Sequence, residues 1–585
     1  MCEMVGAYGS LVYLGADGEL VAPGDHYLNP FWRFELDGGV VASAGCHSDD
    51  DSVFRLVFAD AVMPAPVART GDVPSSRNGS QGDSPEVHQK GECAMASLDD
   101  ISVGKVGFID RHGLWTDEQR DAGQRATATI EERGLRTVRV SWGDQHGILR
   151  GKTLSAADYD RAQRNGVDFQ TATLIMDTTN NIIVPLFAAG GGFGIPEMTG
   201  YPDSILVPDP TTFRVLPWAP STGWVLADMY FQSGKPVPFS TRRIMRDALD
   251  DLAAEGYGYV AGLEVEFYIT KLEDARLTPE ESGWPPEPPR VSVVSHGFQY
   301  LTENRNDEID DILQALSENL ISVGLPLRTM EDEWGPGQCE FTFDPGLGLT
   351  AADNMLLFRS ATKQVCRRLG YHATFMCRPA LANFFSSGWH LHQSLRSIDG
   401  GQNAFTNRAD GDDQPVSELA RHFAGGVLAH IDGACVFTTP TINGYKRLKP
   451  YSFAPDRASW AVENRGAAIR VIGEPGDETT HLENRVGEPT ANPYLYMASQ
   501  IVSGLDGIRN RTDPGPFDEE PYSADRPMLP VSLMAAIEAL KHDGLFRKAF
   551  GDPFIDYMLM VKGSEIRRFL DHVSDWEQRE YFEVF

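Results

Sequence analysis

Four segments of the 585-residue chain repeat one pattern, in which apolar residues alternate with glutamate or histidine over a strand's length. In 261–269, Leu263, Val265, Phe267 and Ile269 alternate with Glu264 and Glu266. Side chains two apart on a strand point the same way, about 7 Å from each other, so the two carboxylates share a face. In 337–343, Cys339, Phe341 and Phe343 oppose Glu340, with Glu333 shortly upstream. In 388–394, Trp389 and Leu391 oppose His390, His392 and Ser394. In 481–486, His481, Glu483 and Arg485 share a face.

One acidic strand face is commonplace, and a lone strand histidine is more often structural than a ligand. Recurrence changes the reading, because a solvent-facing sheet mixes Lys, Thr and Ser rather than concentrating Glu and His. If the four strands pair in one sheet, five glutamates and one or two histidines converge, and their repulsion requires cations. Oxygen-rich ligation with an imidazole suits Mg²⁺ or Mn²⁺, whereas zinc more often takes Cys or further His. A second set is cationic: Lys446, Arg447, Arg465, Arg470 and Arg485. Any one of them reads as a surface charge, but guanidinium forks also grip carboxylates and phosphoryl oxygens bidentately. Metals and arginines together point to phosphoryl chemistry, where catalysis is positioning and charge neutralisation.

Composition removes other classes. With 51 Lys+Arg against 83 Asp+Glu the net charge is −32, which disfavours nucleic acid and anionic membrane as partners. A hydrophobic fraction of 42% excludes a wholly disordered chain. Residues 1–32 lack the basic start of a signal peptide, and no run reaches the length of a membrane span. Seven scattered cysteines without a C-x-x-C pair read as reduced thiols of a cytoplasmic protein.

Along the chain, 1–68 reads either as a small β module, with strand-like pieces at 10–14 and 53–58, or as an extension that does no chemistry. Residues 69–99 read as a linker, rich in Gly, Ser, Pro and charge. Residues 100–218 form an α+β unit: a helix near 118–133, strands at 137–142 and 148–154, and a helix over 156–165. The glycine-rich stretch 190–194 lacks a phosphate-loop ending and reads as a flexible loop. Residues 219–239 look like a crossover into a catalytic domain at 240–585, with helices expected from 240 or 241 and at 533–545 and 562–570.

At these residues the chain resembles the glutamine synthetase family. The matching runs are GLEVEFYI (262–269), EWGPGQCE (333–340), ATFMCRP (373–379), SGWHLHQS (387–394), PTINGYKRLKP (440–450), NRGAAIRV (464–471), HLENRVGEPTANPYL (481–495) and SDWEQREYF (574–582). VRVSWGDQHGILRGK (138–152) and YPDSILVPDP (201–210) resemble the family's N-terminal β-grasp domain. The resemblance implies an α+β fold in which that small domain precedes a large catalytic domain, with a curved antiparallel sheet flanked by helices. It implies that Glu266, Glu333 and Glu340 hold one divalent ion, and Glu264, His390 and Glu483 another. Arg447 then holds the glutamate α-carboxylate, Arg465, Arg470 and Arg485 meet ATP phosphates and the transferred phosphoryl group, and His392 and Ser394 lie at the nucleotide. The implied chemistry is attack of a carboxylate on ATP to give an acyl phosphate, which an amine opens to an amide. Family members assemble as rings of six, often stacked to twelve, with sites between one subunit's catalytic domain and its neighbour's β-grasp domain.

Three departures bear on the amine. Where ammonia-using members carry a glutamate that takes a proton from ammonium, this chain has Phe453; where they have Asn-Gly in the glutamate loop, it has Phe385-Ser386. Asp177 is a loose counterpart of their ammonium-binding aspartate. Ammonium is small and strongly hydrated, and aromatic walls suit an amine with an apolar body instead. The first expectation is an ATP-dependent ligase that makes γ-glutamyl amides from organic amines. Its rivals are an ammonia-using glutamine synthetase and a non-catalytic structural member, the latter disfavoured because all six ligands are present.

Overall fold

The structure, a computed structural model, describes the backbone of five short strands within residues 1–45 and, in full, residues 106–585 except 189 and 275–277. Contacts divide the chain into two units, Met1–Ser97 and Leu98–Phe585. In the first, Glu3–Val5, Leu11–Leu14 and Leu20–Val21 form an antiparallel sheet, and Phe31–Leu36 pairs with Val40–Gly45. Of the strand-like piece at 10–14, Leu11–Leu14 is a strand and residue 10 lies outside the described residues, as do 53–58 and the linker.

In the second unit a five-residue helix at Phe108–His112 is followed by α1 (Asp117–Glu132), whose first turn is fixed by a reciprocal capping box between Thr116 and Gln119. Strands β1 (Thr137–Gly143) and β2 (Leu149–Ser155) form the expected hairpin. Ser155 then caps α2 (Ala156–Asn165), its Oγ accepting from Asp158 N at 3.1 Å. With β3 (Val167–Gln170), β4 (Asp203–Val215) and β5 (Thr222–Tyr230) they make a sheet of order β2-β1-β5-β4-β3. Only the central pair β1/β5 is parallel, the arrangement of a β-grasp sheet. This differs from the sequence reading, which placed 219–239 in a crossover: Thr222–Tyr230 is a central strand. The prolines at 217 and 238 flank it and disguised a run that is almost wholly buried.

Helix α3 (Thr241–Ala254) buries Ile244, Met245, Ala248 and Leu252 on one face, as their spacing requires. Its Arg242 reaches Asp209 on β4 at 2.8 Å, Asp228 on β5 at 3.1 Å, and Asp353 on α4 (Thr350–Arg368) at 2.9 Å. The guanidinium is buried and ties the small sheet to the larger part.

That larger part is built on the 16-residue strand β6 (Tyr257–Leu272). Strands β7 (Leu327–Asp332), β8 (Gln338–Leu347), β9 (Tyr371–Thr374), β10 (Trp389–Ser397), β11 (Trp460–Val462), β12 (Ile469–Ile472) and β13 (His481–Asn484) join it in the sheet, together with the short strand Val291–Val293 paired to the end of β6. Its order is β7-β8-β6-β10-β13-β12-β11, with β9 on the far end of β6. The four acidic or histidine-bearing strands are thus consecutive neighbours, β8-β6-β10-β13. The sheet is antiparallel except where β11 and β12 pair in parallel at one edge. Its apolar face packs on helices: Phe358 of α4 meets Phe267 and Phe341, and Tyr496 of α5 (Pro493–Asn510) packs edge-on against Trp389 at 4.9 Å.

Near the C-terminus, Leu533–His542 is helical but stops where Asp543 caps a new helix at Leu545 N, so the expected 533–545 helix is two. The last long helix, Asp552–Asp571, begins ten residues before the expected 562. Among the described residues no helix is long and apolar enough to cross a membrane.

Candidate active site

Strand register assembles the site. Glu266 faces Glu340 across β6/β8, and Glu340 faces Glu331 on β7. Glu264 faces His390 across β6/β10, His392 faces Glu483 across β10/β13, and Glu483 faces Arg470 on β12. His390 is the hub: its Nδ1 lies 2.5 Å from Glu264 and 3.6 Å from Glu483, its Nε2 3.8 Å from Glu266. Among the described residues two groups of three have ligand atoms mutually within 4.8 Å: Glu264, His390 and Glu483, and Glu266, Glu340 and His390. Glu333 is outside both groups; its carboxylate accepts from Trp334 N at 3.1 Å.

The electrostatics separates the acids. Burial opposes ionisation of Glu264, but His390 and then His392 more than offset it and hold the carboxyl below the usual range. Glu483 is likewise lowered, burial being outweighed by Arg485. Glu340 goes the other way, pushed up to about 10 by burial and then by Glu264, Glu266 and Glu333. Burial, then Glu266, raises Glu333 to about 7. This donor set fits hard divalent cations, because it is oxygen-rich and its own chain leaves Glu340 without a neutralising partner.

The cationic residues flank Glu483. Arg470 Nη1 donates to it at 3.1 Å and Arg485 Nη1 pairs with its other oxygen. Arg447 is buried, donating to the Arg485 carbonyl at 2.9 Å, and lies 3.2 Å from His390 Nε2. Gly388 makes this approach possible, since a Cβ there would stand 2.5 Å from Arg447 Nη2. Arg465 is exposed, and its carbonyl accepts from Arg485 Nε at 3.0 Å. A cavity of about 590 Å³ opens beside Glu264, lined by His392 and Ser394 together with Arg328, Glu331, Asn403 and His481.

Phe385 and Ser386 border the same centre through Gln338, whose Nε2 donates to Glu266 at 3.1 Å and to the Ser386 carbonyl at 3.4 Å. Phe453 is 76% exposed at φ +57°, its carbonyl accepting from Arg485 Nη2 at 3.2 Å. Asp177 does not join this cluster: its carboxylate accepts from Thr179 and Asn181 and is paired with Arg568 at 3.0 Å. Sequence reasoning missed Gln338, although it sits inside a quoted motif, and His481 as the partner of His392 at 2.9 Å. It also missed Phe298 and Trp334, whose rings meet Phe385; no periodicity marks Phe298, which lies in an irregular segment.

Comparison with known proteins bears on this geometry. The family profile for the glutamine synthetase catalytic domain matches residues 238–581. The chain is 48% identical over 499 residues to a γ-glutamylanilide synthase of an Acinetobacter species, covering 82% of this chain and 99% of the relative. It is 30% identical over 469 residues to a glutamine synthetase of Methanosarcina mazei, covering 78% and 96%. A solved ADP complex of GmaS superposes with a TM-score of 0.66 at 25% identity, covering 78% of this chain and 99% of that one. The chain belongs to the glutamine synthetase family and is a carbon–nitrogen ligase of it.

Proposed function

We propose that the chain joins glutamate to an organic amine, at the expense of ATP, to form a γ-glutamyl amide. The carrying observation is the glutamate–histidine cluster with its flanking arginines, bordered by Phe385 beside Gln338 and by Phe453 against Arg485, where ammonia-using members carry polar residues. The 48% identity to a γ-glutamylanilide synthase supports an amine with an apolar body. In this reading Glu266, Glu333 and Glu340 hold one Mg²⁺ or Mn²⁺, and Glu264, His390 and Glu483 a second. Bound there, such ions neutralise phosphate charge.

ATP occupies the cavity beside His392 and Ser394, with Arg465, Arg470 and Arg485 toward its phosphates, and Arg447 takes the glutamate α-carboxylate. The glutamate γ-carboxylate oxygen bonds to the terminal phosphorus as the bond to ADP breaks. The amine nitrogen then bonds to the acyl carbon, phosphate leaves, and the nitrogen loses a proton. Asp177, held apart from the cluster within its own chain, supports an assembly in which it serves a neighbouring subunit's site, as in a six-membered ring or a stacked pair of rings. Among the described residues four buried free thiols, Cys339, Cys366, Cys377 and Cys435, support a reducing, cytoplasmic compartment.

Mass spectrometry of products made from ATP, glutamate, Mg²⁺ and either ammonia or an amine panel tests this. The expected result is γ-glutamyl amides of organic amines in preference to glutamine; strong preference for ammonia contradicts it.

A further inference from the structure

Beside Glu333 the structure packs three aromatic rings edge to edge, two of them exposed to solvent. Phe298 stands edge-on to Phe385 at 5.4 Å and to Trp334 at 6.2 Å, and Trp334 stands edge-on to Phe385 at 6.4 Å. Each ring is fastened to the metal-binding cluster. Trp334 N donates to the Glu333 carboxylate, and Phe298 N donates to the Trp334 carbonyl at 2.8 Å. Phe385 is fixed by the Tyr268 hydroxyl, which lies 2.8 Å from its N–H, next to the Gln338 that grips Glu266.

Stability does not account for this arrangement. Phe298 is 59% exposed and Trp334 45% exposed, and Phe298 also sits at φ +62°, a conformation disfavoured for a bulky residue. Such strain persists where surrounding structure enforces it and collects at ligand clamps. The exposed surfaces of two perpendicular rings suit a flat guest, which they can meet by stacking and edge contacts.

Resting on the reading above, we infer that Phe298, Trp334 and Phe385 seat the ring of an aromatic amine, and that Phe298 and Trp334 set the enzyme's choice of amine. The proton chemistry agrees. In an arylamine the nitrogen lone pair is delocalised into the ring, so the amine is neutral near pH 7 and can attack the acyl phosphate without first giving a proton to the protein. Ammonium and alkylammonium must lose one. Phe453 stands where ammonia users keep the carboxylate for that task, and an arylamine dispenses with it; the remaining N–H proton leaves from the adduct after the new bond forms.

Steady-state kinetics of the full chain with aniline, Phe298→Ala, Trp334→Ala and Trp334→Phe provide the test. A stacked ring's contribution translates to about tenfold or more in KM for aniline in the alanine variants. KM for ATP stays put, and Trp334→Phe recovers most of the loss. An unmoved KM for aniline in both alanine variants overturns the inference. So does a fall in particle size with KM unmoved, which would identify the rings as a contact between copies of the chain. A wild-type enzyme that uses ammonia in preference to aniline and to every alkylamine of the panel defeats the underlying reading as well, whereas one that prefers organic amines yet shows an unmoved KM for aniline in both alanine variants defeats this inference alone.

Discussion

Two buried crowds of carboxylates lie in the same folded unit, and the chain neutralises only one. Around Arg242, Asp209, Asp228 and Asp353 are each within about 3 Å of a guanidinium nitrogen, Arg246 adds a second cation at 3.0 Å from Asp228, and Tyr494 donates to Asp353 at 2.6 Å. Burial opposes ionisation of Asp209, but Arg242 with Thr211 and Gln119 more than offsets it and lowers the group to about 2. At the sheet's other face, Glu264 and Glu483 have imidazole or guanidinium partners, but Glu340 is driven up to about 10 and Glu333 to about 7. A closed ion network fixes structure; a cluster short of positive charge is prepared for cations that come from outside.

The largest contrast is expected from single substitutions. Glu340→Ala abolishes turnover in a ligase assay yet leaves a folded protein, because it removes an acid the fold does not neutralise. Arg242→Met leaves the glutamate–histidine cluster intact but strands three buried carboxylates, costing about 3–5 kcal/mol in a denaturant titration. Next comes ion binding. Mn²⁺ at a hundred times its Kd raises the unfolding free energy by about 2.7 kcal/mol in wild type and in Arg242→Met, but much less in Glu340→Ala.

Acid separates the clusters further. Asp209 has a folded value near 2 against an ordinary 3.8, so its stabilisation is present above the ordinary value and lost as pH falls through the folded one. Roughly 2–3 kcal/mol disappears between about pH 5 and pH 2 in wild type, and Arg242→Met lacks that part of the slope. The smallest effect is expected at the mouth: Phe453→Glu raises use of ammonia relative to organic amines severalfold, read as glutamine against γ-glutamyl amide formed.

How far each region could be read from the sequence follows the same division. The convergence of the carboxylates and histidines was legible because strand alternation is local: Glu264, Glu266, Glu340, His390 and Glu483 each declare a face within a few residues, and the structure supplies the pairing that the sequence left conditional. The Arg242 network was not, since its partners lie on different strands and helices and none belongs to a periodic run. Thr222–Tyr230 was hidden by its flanking prolines. Phe298 was hidden by the absence of any period, its place beside Trp334 being fixed by one backbone hydrogen bond and a left-handed φ. Asp177 was assigned a chemical role from a loose motif, and only folding shows its pairing with Arg568.

The central claim is that the uncompensated cluster is a divalent-cation site on which the ligase depends. Calorimetric titration of Mn²⁺ into the full chain tests it most directly. The expected result is two or more ions bound per chain, with at least one lost in Glu340→Ala; no binding, or an isotherm that Glu340→Ala leaves unchanged, would contradict it.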